Sequence, residues 1–200
     1  LLTMAITLNI NTFAIASSGY VDVPKDHWAY NSISNISKKG YIVGNGAGEY
    51  KPNNPIDKFE TAKILAVVSG YKYADITLDE KTFYDNAYNK HKKLIAEYSK
   101  KFTKWNSTAD REISFLLEKG ILIPSDLDQF VILGANKKEQ LRALSRQEIS
   151  VFLTKIMQDE YFALNGEYTN PFKDDKNINA NAKPYVYFLR NKGVLSGDNN

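Results

Sequence analysis

One short pattern occurs three times along the chain, and it constrains the fold more than any other feature. Ala29 is followed by Ile33 and Ile36, four and seven residues on, then by Lys39-Gly40 and Ile42. Ala109 is followed in the same way by Ile113, Leu116, Lys119-Gly120 and Leu122, and Ala182 by Val186, Leu189, Lys192-Gly193 and Leu195. Apolar residues at steps of four and three share one face of a helix. Gly stands where a helix ends in the left-handed conformation, which costs a residue without a Cβ nothing. Lys just before it suits the negative end of the helix dipole. Each segment is therefore predicted as an amphipathic helix of about three turns closed by glycine, and three copies imply a repeat architecture.

A second helix follows the first two copies. Pro55-Ile56-Asp57-Lys58-Phe59-Glu60 precedes Ala62, Ile64, Leu65 and Val68, and Ala143-Leu144-Ser145-Arg146-Gln147-Glu148 precedes Ile149, Phe152, Leu153 and Ile156. Asp57 with Glu60, and Ser145 with Glu148, have capping-box spacing, in which side chain and backbone N–H satisfy each other reciprocally. Between the two helices of the first copy lies Val43-Gly44-Asn45-Gly46-Ala47-Gly48-Glu49-Tyr50-Lys51-Pro52, whose glycines Gly44, Gly46 and Gly48 permit tight turns and close backbone approach. The corresponding loop of the second copy, 123–142, is longer and has only Gly134.

The chain has no cysteine, which excludes disulfide scaffolds and thiolate metal sites. A net charge of +3 is too small to argue for nucleic acid, while a few cations in a groove suffice for an anionic ligand. Leu1 to Ser18 is mostly apolar and contains Ala14-Ile15-Ala16, a small-x-small cleavage signal, so residues 1–16 are expected to be the back end of a secretory signal peptide. No other stretch is long and apolar enough to span a bilayer. The third copy breaks off before its second helix, and the natural protein is expected to continue past Asn200.

Val21-Asp22-Val23-Pro24, His27-Trp28-Ala29, Lys39-Gly40, Gly44, Gly48, Tyr50-Lys51-Pro52, Pro55-Ile56 and Glu60 fall in the order of an S-layer homology repeat, and the chain resembles that family. The resemblance divides it into repeat one at 17–70, a linker and inserted helix at 71–108, a divergent repeat two at 109–158, a linker at 159–170 and an incomplete repeat three at 171–200. It implies a mainly α fold of helix-loop-helix repeats around a pseudo-threefold axis. It also implies non-covalent anchoring to the Gram-positive cell wall, through grooves that bind secondary cell-wall polysaccharide, often bearing ketal-linked pyruvate. The family's Thr-Arg-x-Glu motif stands here as Asp57-Lys58-Phe59-Glu60 and Ser145-Arg146-Gln147-Glu148, so Lys58 and Arg146 carry over as the cations facing a pyruvate carboxylate. Gly44, Gly46 and Gly48 would bring backbone N–H groups to the sugar, and Trp28 would line the groove or fill the core. Repeat two lacks the His-Trp-Ala. By local spacing Asp57, Glu60, Ser145 and Glu148 are structural caps.

The insert fits no part of that pattern. Tyr84, Tyr88, His91, Ile95, Tyr98, Phe102 and Trp105 alternate four and three apart, a seam on one long helix predicted over 79–105. Its lysines, Lys90, Lys92, Lys93, Lys100, Lys101 and Lys104, lie mostly off the seam. Either this helix packs on the repeats or it serves self-association. Alternatively, Phe83-Tyr84-Asp85 is the displaced start of repeat two. His27 and His91 have no metal-site spacing, and Gly44-Asn45-Gly46-Ala47-Gly48 lacks the strand and long helix of a dinucleotide site. Lys173-Asp174-Asp175-Lys176 reads as a loop rather than a calcium cage. No catalytic constellation, metal or cofactor is indicated. The expected function is a wall anchor, with the anchor portion of a larger surface enzyme such as a glycoside hydrolase, or an assembly protein with degenerate repeats, as rivals.

Overall fold

Each of the three Ala-to-Gly segments is a nine-residue helix with its alanine at the N-cap: α1 (Tyr30–Lys38), α4 (Asp110–Glu118) and α7 (Lys183–Asn191). These come from a computed structural model that describes residues 19–44, 47–169 and 172–197; the signal peptide expected at 1–16 lies outside them. All three helices end alike. Gly40, Gly120 and Gly193 have φ of 72°, 69° and 72°. Their N–H groups bond Ser37, Leu117 and Arg190, and the next N–H reaches back to Ile36, Leu116 and Leu189, closing a Schellman motif each time. The residues at the repeated apolar spacing point inward, with Ile113, Leu116 and Leu189 almost wholly buried. A Cβ on Gly120 would meet open space, so replacing it probes backbone conformation alone. Gly120→Ala is expected to cost about 1–2 kcal/mol, read as a lower urea midpoint with unchanged slope.

The second helices are α2 (Lys58–Val68) and α5 (Arg146–Ile156), eleven residues each, and both capping boxes form. Asp57 accepts from Phe59 N and Glu60 N, while Glu60 accepts from Asp57 N. Ser145 Oγ and N both donate to Glu148 Oε2 at 2.7 and 3.0 Å. The inserted helix is α3 (Leu78–Lys101), capped by Thr77 and Glu80. It stops four residues short of the predicted end, because Phe102 turns extended. Phe102 and Trp105 still continue the buried seam, from a turn rather than from the helix. A short helix α6 (Glu160–Leu164) follows α5.

The chain is mainly α. Its single sheet among the described residues is the two-stranded antiparallel hairpin β1 (Val131–Leu133) and β2 (Glu139–Leu141), inside the loop between α4 and α5. The described residues up to Asn54 and those from Pro55 onward form two compact units, so the division falls inside repeat one, between α1 and α2. In the second unit α3 and α2 both pack on α4. Their shared core contains Phe59, Leu65, Tyr84, Ile95, Trp105, Ile113, Leu116 and Phe130. The α3 seam is thus covered within the chain, and its lysines face solvent. A satellite core gathers Ala163, Tyr185, Phe188 and Leu189 where α6 and α5 meet α7. In the stretch expected as a linker, Ala163 of α6 is fully buried and its carbonyl accepts from Tyr168 Oη at 2.5 Å, while Tyr161, Phe162 and Leu164 are exposed.

Candidate functional site

The start of α5 is the best-organised polar region of the second unit. Leu144 N donates to Ile56 O, and Asp57 and Ala143 form an antiparallel bridge, so the chain entering α2 lies beside the chain entering α5. This brings Lys58 to Glu148 across ninety residues of sequence, with Nζ 2.6 Å from Oε1. Arg142 Nη1 reaches the same oxygen at 2.5 Å. Burial alone would raise the Glu148 carboxyl. The hydrogen bonds from Lys58, Ser145 and Arg142 outweigh it and hold the group down at about 2. Lys58 is only 4% exposed. The cation carried over as a glycan contact is thus placed in a buried ion pair, not on an open groove. The physical reason is the proximity of Glu148, which no local spacing reveals.

Arg146, the first residue of α5, points the other way. Its Nη2 donates to Ser196 O at 2.8 Å, in the loop after α7. Here α5, α7, that loop and residues 172–178 enclose a cleft of about 700 Å³. Arg146, Lys173 and Arg190 supply positive charge to its wall, and among the described lining residues Asp174 supplies a carboxylate. The Arg190 guanidinium lies over the Phe172 ring, 4.3 Å from its centroid. Phe172 in turn stacks on Tyr187 at 5.4 Å. Asp175 behind them is occupied: it accepts from Lys183 and from Tyr187 Oη, which hold its carboxyl below the usual range. Gln147 accepts from Asn179 N at 2.8 Å and fixes the adjoining loop. Two guanidinium groups lining one cleft can take a carboxylate in charge-assisted hydrogen bonds.

The remaining expected contacts belong to the first unit. Trp28 is 92% exposed, which rules out the core alternative for it, and it stacks on His27 at 5.8 Å. His27 Nδ1 accepts from Ala29 N, and His91 pairs instead with Glu118 at 2.9 Å. Gly44 is needed for packing: a Cβ there would sit 2.4 Å from the Tyr20 ring and 2.7 Å from Glu49 O. Gly48 has φ of 74°, and its carbonyl accepts from Val21 N. Asp22 clamps the following loop by accepting from Tyr50 N and Lys51 N, bonds that lower its carboxyl below the ordinary range. Gly46 lies outside the described residues. Sequence reasoning missed Arg190 and Phe172, yet a signal existed. Gly197 stands fifteen residues after Ala182, as Gly44 does after Ala29. A Cβ on Gly197 would meet the Phe172 ring at 3.0 Å, as one on Gly44 would meet Tyr20. An aromatic residue and a glycine close repeats one and three in the same way.

Residues 19–62 match the S-layer homology domain. The chain carries an S-layer homology domain. That stretch contains the Asp22 clamp, the Gly44 contact and the Asp57 capping box. The chain is 32% identical over 59 residues to an S-layer protein of Bacillus thuringiensis subsp. finitimus, covering 30% of this chain and 7% of that protein. It is 37% identical over 54 residues to outer membrane protein alpha of Thermotoga maritima, covering 27% and 14%. It is 38% identical over 69 residues to a cell wall amidase of Bacillus anthracis, covering 34% and 12%. The chain thus spans a small part of the relatives it matches. An S-layer homology domain is a cell-surface anchoring module, and the chain belongs to the extracellular cell surface.

Proposed function

We propose that the chain anchors its protein by holding an anionic secondary wall polysaccharide, one bearing a pyruvate carboxylate, in the cleft at the head of α5. The observation that carries this reading is the convergence of Arg146 and Arg190 with Phe172 on one open cleft. Arg146 is the motif cation of repeat two, and it stands at a helix start, where the dipole disfavours positive charge. A carboxylate ligand would add a counter-charge for it. Phe172 lies under the Arg190 guanidinium and fixes where it stands in the cleft. Lys58 acts from beneath, holding Glu148 and with it the first turn of α5. Trp28, Gly44, Gly46 and Gly48 would serve a separate subsite in repeat one, with Trp28 as its exposed aromatic face.

Binding of the chain to purified wall sacculi, before and after mild acid stripping of the secondary polymer, tests the reading. Retention is expected only on unstripped walls. Arg146→Ala with Arg190→Ala should weaken it about ten- to hundredfold, one or two charged hydrogen bonds' worth, with helix content unchanged. Equal retention of wild type and double variant would remove the cleft from the anchor. The match to a cell wall amidase favours one further reading, in which the chain is the anchor portion of a larger wall-acting enzyme. The full reading frame tests it: a hydrolase domain in the same polypeptide is expected, and its absence would dismiss the idea.

A further inference from the structure

Away from the cleft, five lysines from two elements are held side by side. Lys100, Lys101 and Lys104 end the inserted helix and its turn; Lys137 and Lys138 form the tip of the β1–β2 hairpin. Glu139 joins the two, accepting from Thr103 N at 3.1 Å, Thr103 Oγ1 at 2.9 Å and Lys104 N at 2.8 Å. The hairpin is thereby fixed against the end of α3, with Lys138 next to the joining residue. All five lysines are exposed. Among the described residues none of the five forms an ion pair. Glu97 lies one turn back on α3, and Tyr98 donates to Asp128 nearby.

The helix dipole accounts for cations in the last turn of α3. It does not account for Lys104, Lys137 and Lys138, which lie beyond the helix. Glu139 offsets part of this positive charge, and the rest is free to attract a bound anion. We propose that this surface binds a phosphate-bearing anionic polymer. Compact, strongly hydrated ammonium groups on flexible stems suit phosphate as point charges, whereas the cleft uses planar guanidinium for a carboxylate. The surface spreads its five ammonium groups over two elements, which suits an extended polymer held at several points. It does not suit a membrane: the apolar seam of α3 that would enter a bilayer is buried against α4, and a bound interfacial helix needs that face free. The inference does not depend on the ligand of the cleft.

The test is binding of long-chain inorganic polyphosphate to the full chain at low salt. Capture is expected for wild type and for Arg146→Ala alike, with release as salt rises. Lys100→Gln, Lys101→Gln, Lys104→Gln, Lys137→Gln and Lys138→Gln together should lower affinity at least about tenfold. Lys137→Gln with Lys138→Gln, confined to the hairpin tip, should lower it in part and serves if the fivefold variant misfolds. Undiminished binding of either variant would overturn the proposal. So would loss of binding in Arg146→Ala, or capture of anionic phosphatidylglycerol vesicles without capture of polyphosphate.

Discussion

Replacing Phe59 with alanine is expected to lower the stability of the 55–197 unit by about 3–5 kcal/mol. Phe59 is 1% exposed and sits in the first turn of α2. It meets Trp105 edge-on at 5.1 Å and Phe130 edge-on at 5.0 Å. One ring therefore ties α2 to the turn after α3 and to the segment leading into β1. The cavity left by its loss is bounded by large rings that cannot collapse into it without moving those elements, which puts the cost in the upper part of the usual range. Against a total stability of about 5–15 kcal/mol for a domain, that brings the protein near the edge of folding. Urea unfolding followed by Trp105 fluorescence measures it. Phe59→Leu, which keeps most of the volume, should cost much less; equal costs would mean that the aromatic contacts, rather than the volume filled, carry the effect.

What the sequence made legible was local. The three Ala-to-Gly helices and both capping boxes are set by spacings of three to eleven residues, and all formed with the residues expected. The seam of the inserted helix was legible as a face, with packing on the repeats and self-association both open, and it packs against α4. Its helical end was not legible, because Trp105 keeps the seam's position in space while the backbone has already turned at Phe102. The hairpin was overlooked although Phe130-Val131-Ile132-Leu133 is a short apolar run followed by Gly134 and Asn136, an ordinary strand and turn signal. The site divided along the same line. Arg146 was found by its motif and does face the cleft. Lys58 was found by the same motif but is buried, because its neighbour Glu148 is ninety residues away. Trp28, for which groove and core both stood open, is exposed. Arg190 and Phe172 lie in the third copy, where a comparison of the glycine positions Gly44 and Gly197 was needed to see that the loop and the aromatic belong together.

Removing Glu148 should have a comparable effect by a different mechanism. Glu148→Ala leaves the Lys58 ammonium buried without its counter-charge, strips a partner from Arg142 and abolishes the α5 capping box. Breaking one side of a buried pair costs about 3–5 kcal/mol. Lys58→Met, which removes the buried cation and leaves Glu148 with Arg142 and Ser145, should cost far less. Adding Lys58→Met to Glu148→Ala should recover part of the loss, and strict additivity in that cycle would show that the pair is not coupled. The same network sets an acid limit. The folded Glu148 carboxyl is held at about 2, below its ordinary 4.5, so its contribution is complete above about pH 5 and is lost as pH falls toward 2. A depression of that size corresponds to roughly 3 kcal/mol. Urea midpoints measured from neutral pH downward should fall through this window in the wild type and much less in Glu148→Gln. Because Arg146 stands two residues before Glu148 on the same first turn of α5, retention on walls should weaken over the same pH window before the helices melt. Retention that persisted to pH 2 while stability fell would mean that the anchor does not depend on the head of α5.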